Sequence, residues 1–262
     1  MPLGVCKLCL LDKELQESHY LPRALYAKTR DPKAKKPNPV LMTRSEAQRT
    51  QKQIKDYVLC SQCEQLFSRN GERYVMGQVD NGRGRFPLLN RLNVAMAFRS
   101  TPKTAAFSGA AVGIDTEKLA YFALSVLWRG CVHQWNLFGP TTAVILGVHE
   151  EPIRKYLLGS AQFPTDIVTV QVTACTDEVS RNSSFPPGEA RRGSHVAGYI
   201  LLTRGIYFLV HLGAHIPDRI RKFCCINSVQ KSVLMSDCEA KTREIFADIY
   251  KTARIPPDLQ RL

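Results

Sequence analysis

An α+β protein in two parts is predicted: a zinc-bound N-terminal module over residues 1–100, and over 101–262 a mixed domain with helices packed on an antiparallel sheet. Three observations carry this. Two C-x2-C pairs, Cys6/Cys9 and Cys60/Cys63, fall within the first quarter of the chain. An apolar stripe of helical period, Leu119, Phe122, Ala123, Val126 and Leu127, follows Asp115. Apolar runs of strand length over 167–175, 196–202 and 206–212 are separated by polar or glycine-bearing breaks. With 262 residues, 44% of them hydrophobic, the chain can bury a real core, which excludes a disordered protein.

In chain order, the first C-x2-C turn leads to a short strand over 16–20, ended by Leu21-Pro22. Residues 28–39 combine Pro32, Pro37 and Pro39 with Lys28, Arg30, Lys33, Lys35 and Lys36, a composition that stays mobile without a partner. A polar helix capped by Thr43 or Ser45 is predicted to run to about Lys55. A strand over 56–59 then reaches the second C-x2-C pair, which opens a helix that Asn70-Gly71 stops or bends. Asn81-Gly82-Arg83-Gly84 makes a turn, and the polar stretch 100–104 marks a boundary. Beyond it come a helix over 116–135 with Asp115 as N-cap, a helix over 150–158, the three strands, and a final helix over 236–253 with Ile245, Ile249 and Ala253 on one stripe. The most apolar stretch, 195–216, is broken by Thr203-Arg204-Gly205. A membrane span there would bury Arg204 in hydrocarbon, so two strands joined at the break are predicted and no membrane association.

The two C-x2-C pairs supply four thiolates, enough for the closed tetrahedral shell of a structural zinc ion. The other five cysteines (Cys131, Cys175, Cys224, Cys225, Cys238) form no disulfide-like framework, and residues 1–11 show neither a basic leader nor a long apolar stretch. A reducing cytoplasmic location is the expectation. Formal net charge is +13, of which +9 falls in residues 1–100. Between Arg23 and Lys55 ten basic side chains face two acidic ones, the footprint of phosphate contacts. Nucleic acid is therefore the expected partner, held by Arg23, Lys33, Lys35, Lys36, Arg44 and Lys52. The C-terminal domain carries no motif of its own and leaves room for a protein partner.

Between the cysteine pairs lies Glu17-Ser18-His19-Tyr20-Leu21-Pro22-Arg23. Cys6/Cys9, a strand ending in histidine with proline three positions on, and Cys60/Cys63 opening a helix together resemble the zinc-containing HNH endonucleases of the treble-clef, His-Me finger class. The resemblance covers residues 1 to about 76. It implies a ββα treble clef and metal-dependent cleavage of DNA, less readily RNA. His19 would be the general base, and a magnesium or manganese ion would steady the developing charge. Where the family has Asp or His before the base this chain has Ser18, and where it has a helical Asn or His this chain has Glu64. Glu64, Asn70 and Glu72 offer oxygen donors instead, with Glu72 expected as a catalytic residue and Glu64 as ligand of the ion. On one continuous helix the two glutamates would lie ~12 Å apart, so they could share an ion only if Gly71 breaks it. The alternative is a zinc-finger module that binds nucleic acid without cutting it, favoured by Ser18, or a protein-interaction adaptor. Cys131/His133, His211/His215 and Cys224-Cys225 read better as core or surface residues, and Trp128 is expected in the core with Arg129 reaching outward.

Overall fold

The chain opens as a hairpin with a knuckle at its tip. In a computed structural model, which describes residues 1–30, 38–43, 46–135, 144–184, 191–192 and 196–255, β1 (Leu3–Val5) pairs antiparallel with β2 (Asp12–His19), and the connection carries Cys6 and Cys9. The Leu10 N–H donates to Cys6 O at 2.8 Å and the Cys6 N–H to Leu11 O at 3.0 Å. Closing so tight a turn forces Leu10 into the left-handed region, at φ 60°. After Pro22 come α1 (Arg23–Lys28) and a small antiparallel pair, β3 (Val40–Met42) and β4 (Ala47–Arg49). That pair replaces the polar helix expected after Thr43. The Thr43 hydroxyl does cap, but it accepts the Glu46 N–H across a turn at 3.2 Å, and Ala47 is buried. β5 (Lys55–Cys60) then pairs with β2, with a bulge at Gln16/Glu17, to complete the sheet β1-β2-β5.

α2 (Ser61–Phe67) begins at Cys60, runs through a π-helical turn at Ser68–Glu72 and continues as α3 (Arg73–Gln78). Asn70-Gly71 therefore does not stop the helix. The glycine serves close packing instead, since a Cβ on Gly71 would lie 2.9 Å from the backbone nitrogen of Phe122. α4 (Pro87–Asn93), β6 (Arg99–Ser100) and β7 (Thr104–Ser108) lead to α5 (Thr116–Val132), whose first turn is capped by Asp115 accepting from the Lys118 N–H at 3.0 Å. α5 is buried around its whole circumference from Leu119 to Gly130, the mark of a core helix.

α6 (Glu150–Leu158), β8 (Val168–Cys175), β9 (Arg191–Arg192), β10 (Ala197–Thr203) and β11 (Ile206–Leu212) follow. The chain then runs through α7 (Asp218–Arg221), β12 (Ser232–Ser236) and α8 (Glu239–Thr252). Seven strands form one sheet in the order β6-β7-β12-β8-β11-β10-β9. It is mixed rather than antiparallel, because β12 runs parallel to β8. β10 and β11 meet at the two-residue turn Arg204-Gly205, both with positive φ (43° and 90°), which matches the twist of the strands it joins. Among the described residues no helix is long and apolar enough to cross a membrane. One buried apolar cluster includes Leu8, Leu59 and Phe67 from before residue 100 and Phe122, Val172 and Phe208 from beyond it.

Candidate metal centre and active site

Sequence spacing and tertiary pairing bring the four thiols together. Cys6 and Cys9 sit on the β1–β2 knuckle, Cys60 ends β5 and Cys63 lies in the first turn of α2. Their sulfurs lie within 4.8 Å of one another, with Cys9 and Cys60 at 4.0 Å. A zinc ion with ~2.3 Å bonds to four thiolates needs sulfurs ~3.8 Å apart, so the cluster fits that ion. The Cys60 N–H points at Cys6 Sγ at 3.3 Å, the kind of amide contact that steadies a thiolate. Hydrogen bonding from Cys63 draws the Cys6 thiol down to about 4, against the pull of burial, and Cys63 itself is driven above the ordinary thiol range by that same contact and by burial. The knuckle is held from the other side by Arg154 of α6, which donates to Leu8 O at 2.6 Å and pairs with Glu151. Arg154 is thus largely buried.

The histidine side of the site is built from the end of β2, the α2–α3 helix and α5. His19 Nε2 lies 2.7 Å from Gln53 Oε1. An amide oxygen only accepts, so Nε2 carries the proton there and Nδ1 is left as the basic nitrogen. Ser18, in the position where a ligand was sought, is buried and accepts the Leu59 N–H at 3.0 Å, pinning β2 to β5. Glu64, on the facing helix α2, has its Oε1 buried with no hydrogen-bond partner. Burial raises the Glu64 carboxyl above its usual range, and the charge of Arg129 and the Ser18 hydroxyl only partly offset this.

Arg129 is the residue the sequence reading misplaced. It does not reach outward: it is 1% exposed, ion-paired with Glu72, within 3.4 Å of Tyr20 O, and stacked 4.6 Å over the Phe67 ring. Burial works against its charge, but the Glu72 and Glu64 carboxylates outweigh it and hold it protonated. A helical period marks an arginine's face of α5 but not that every face of that helix is covered, so no local signal could have found this. Glu72 accordingly faces Arg129. Among the described residues, two groups of three or more His, Cys, Asp or Glu bring their donor atoms within 4.8 Å of one another: the four cysteines, and Cys175 with Asp177 and Cys238. His19, Glu64 and Glu72 do not form such a group.

Of the side chains assigned to phosphate contacts, Arg23 at the start of α1 and Lys52 are exposed. Lys33, Lys35, Lys36 and Arg44 lie outside the described residues. Leu25, Tyr26, Arg30, Lys52 and Gln53 line one groove, which shares Gln53 with His19. In comparisons with known proteins, no family model, curated protein or solved structure matches this chain.

Proposed function

We propose that the protein is a metal-dependent endonuclease of HNH type, acting on DNA in the first instance, with a structural zinc ion in a treble clef. His19 is its general base, and Glu64 holds the catalytic ion. The observation that carries this reading is Glu64 Oε1, a buried carboxylate oxygen with no hydrogen-bond partner, on the helix that faces the Ser18-His19 strand end. Leaving such an oxygen unpaired costs about 1–3 kcal/mol, and a divalent cation with oxygen preference would offset that cost. A magnesium or manganese ion there would supply charge stabilisation at the leaving oxygen. His19 takes the proton of the attacking water on Nδ1, with Gln53 fixing the ring through Nε2. Glu72 positions Arg129, and Arg129 in turn keeps positive potential beside Glu64. Exposed Arg23 and Lys52 hold the nucleic-acid backbone.

A second reading, a zinc-scaffolded module that binds nucleic acid without cutting it, is favoured by one observation: the two glutamates and His19 do not converge on a common centre. Plasmid nicking with magnesium or manganese separates the two. In His19→Ala cleavage should fall about 10²- to 10⁴-fold while zinc content and DNA binding hold, and Glu64→Gln should raise the metal concentration needed. Wild-type protein that binds DNA but cuts it with neither ion, or His19→Ala that cuts undiminished, would leave the binding module as the function.

A further inference from the structure

We propose that Cys175, Asp177 and Cys238 form a second metal site, of zinc type, which clips the end of β8 to the start of α8. Their donor atoms lie within 4.8 Å of one another, although Asp177 and Cys238 are far apart in sequence. The parallel pairing of Ser236 with Cys175 brings the C-terminal ends of β12 and β8 side by side. Cys175 is the last residue of β8, Asp177 follows two residues on, and Cys238 follows two residues after β12. Both thiols are buried, at 0% and 3% exposure.

The donor set is chemically selective. Two soft thiolates with one carboxylate suit zinc, whose ~2.0–2.3 Å bonds require donors ~3.2–3.8 Å apart, within about an ångström of the spacing here. The carboxylate is also held as metal-binding carboxylates are. Asp177 Oδ1 accepts the Ser180 N–H at 2.8 Å, and Oδ2 accepts the Cys238 N–H at 2.9 Å and the Ser180 hydroxyl at 3.0 Å. That uses three of about four acceptor positions and leaves one for an ion. The Ser180 hydroxyl is fixed in turn by Thr242 at 2.7 Å, and both are fully buried. A turn cap would account for Asp177 and packing for either thiol, but neither accounts for all three donors meeting in one place. Three protein ligands leave a fourth position, which would fall to a water or to the Ser180 hydroxyl.

Metal analysis of the full chain, purified reduced, tests this. Wild type should carry two zinc ions, Cys238→Ser one, and Cys63→Ser one; loss of one equivalent in Cys238→Ser is the supporting result whatever the total. Because Cys238→Ser could misfold, Asp177→Asn serves as a second variant. Cobalt-substituted wild type should show about one and a half times the thiolate-to-cobalt charge-transfer intensity of Asp177→Asn, six thiolate bonds against four. Unchanged zinc content in both variants overturns the proposal. So does alkylation of seven rather than all nine thiols in the unfolded protein, which would mean that Cys175 and Cys238 are joined as a disulfide.

Discussion

The cysteine-bearing end and the seven-stranded sheet of this protein are held by different forces. In the sheet, β8 is buried along almost its whole length, Val172 and Phe208 are fully covered, and α5 lies against it with Phe122 and Phe208 rings 5.5 Å apart. In the sheet β1-β2-β5 the strands are few, and Leu3, Val5 and Tyr57 remain exposed. Apolar burial sustains the first, and on the proposed reading a metal ion held by the four cysteines would sustain much of the second. With the proposed ion in place, the difference gives a metal-conditional end and a metal-indifferent end within a shared core. Chelation, or Cys63→Ser, is the sharpest way to break that contrast. A structural zinc supplies on the order of 10 kcal/mol of folding free energy. Amides of β2 and β5 should then exchange with solvent rapidly, while those of β8, β10 and β11 stay protected. Equal loss of protection in both sheets would show that the two ends stand or fall together.

Between the two ends sits Arg129, and here the contrast can be sharpened. It belongs to α5 but pairs with Glu72 of the helix that grows from the four-cysteine cluster, so it is buried on behalf of both. Removing one partner of a buried ion pair leaves an uncompensated charge and costs about 3–5 kcal/mol. Urea unfolding of Arg129→Met should show that loss. In Arg129→Met/Glu72→Leu much of it should return, because neither charge is then stranded. A single-variant cost below about 1 kcal/mol would mean that the pair is as weak as a surface one.

What the sequence makes legible follows the range over which each feature is encoded. The four thiols are found from two local spacings, and α5 and α6 from apolar period and the Asp115 cap. The β10–β11 hairpin is found from the Thr203-Arg204-Gly205 break. Features set by distant partners stay hidden. Thr43 signals a cap, yet whether it caps a helix or a turn is decided by Ala47 finding a buried seat. Asn70-Gly71 looks like a helix stop because only the backbone of Phe122 reveals why a glycine is needed. β7 and β12 are five residues each and show no strand alternation, so their mutual pairing and that of β12 with β8 define them. Glu72 and Glu64 could be chosen by chemistry, but Arg129, which decides what Glu72 faces, enters from 57 residues beyond it.

The smallest expected effect sets matching backbone strain in the two regions against each other. Leu10, just past Cys9, and Arg204, in the β10–β11 turn, both hold left-handed backbone that costs a non-glycine residue about 1–2 kcal/mol. Leu10 is 54% exposed, so its side chain returns little for that strain. Glycine would relieve the strain at a backbone-entropy cost of about 0.5–1 kcal/mol. Leu10→Gly should therefore stabilise the knuckle by about 0.5–1 kcal/mol, read as roughly two- to five-fold tighter zinc retention in chelator competition. Arg204 reaches Asp80 with Nη2 at 3.4 Å to the carboxylate and Nε at 3.3 Å to the backbone carbonyl. Arg204→Gly would relieve the same strain but take one of two arginines from a largely buried carboxylate, leaving it Arg181 and the Gly82 N–H, so it should destabilise. If both substitutions stabilise, Arg204 is held by its turn alone. If Leu10→Gly instead releases zinc faster, the knuckle depends on the Leu10 side chain, and backbone strain there is not what limits its hold on the metal.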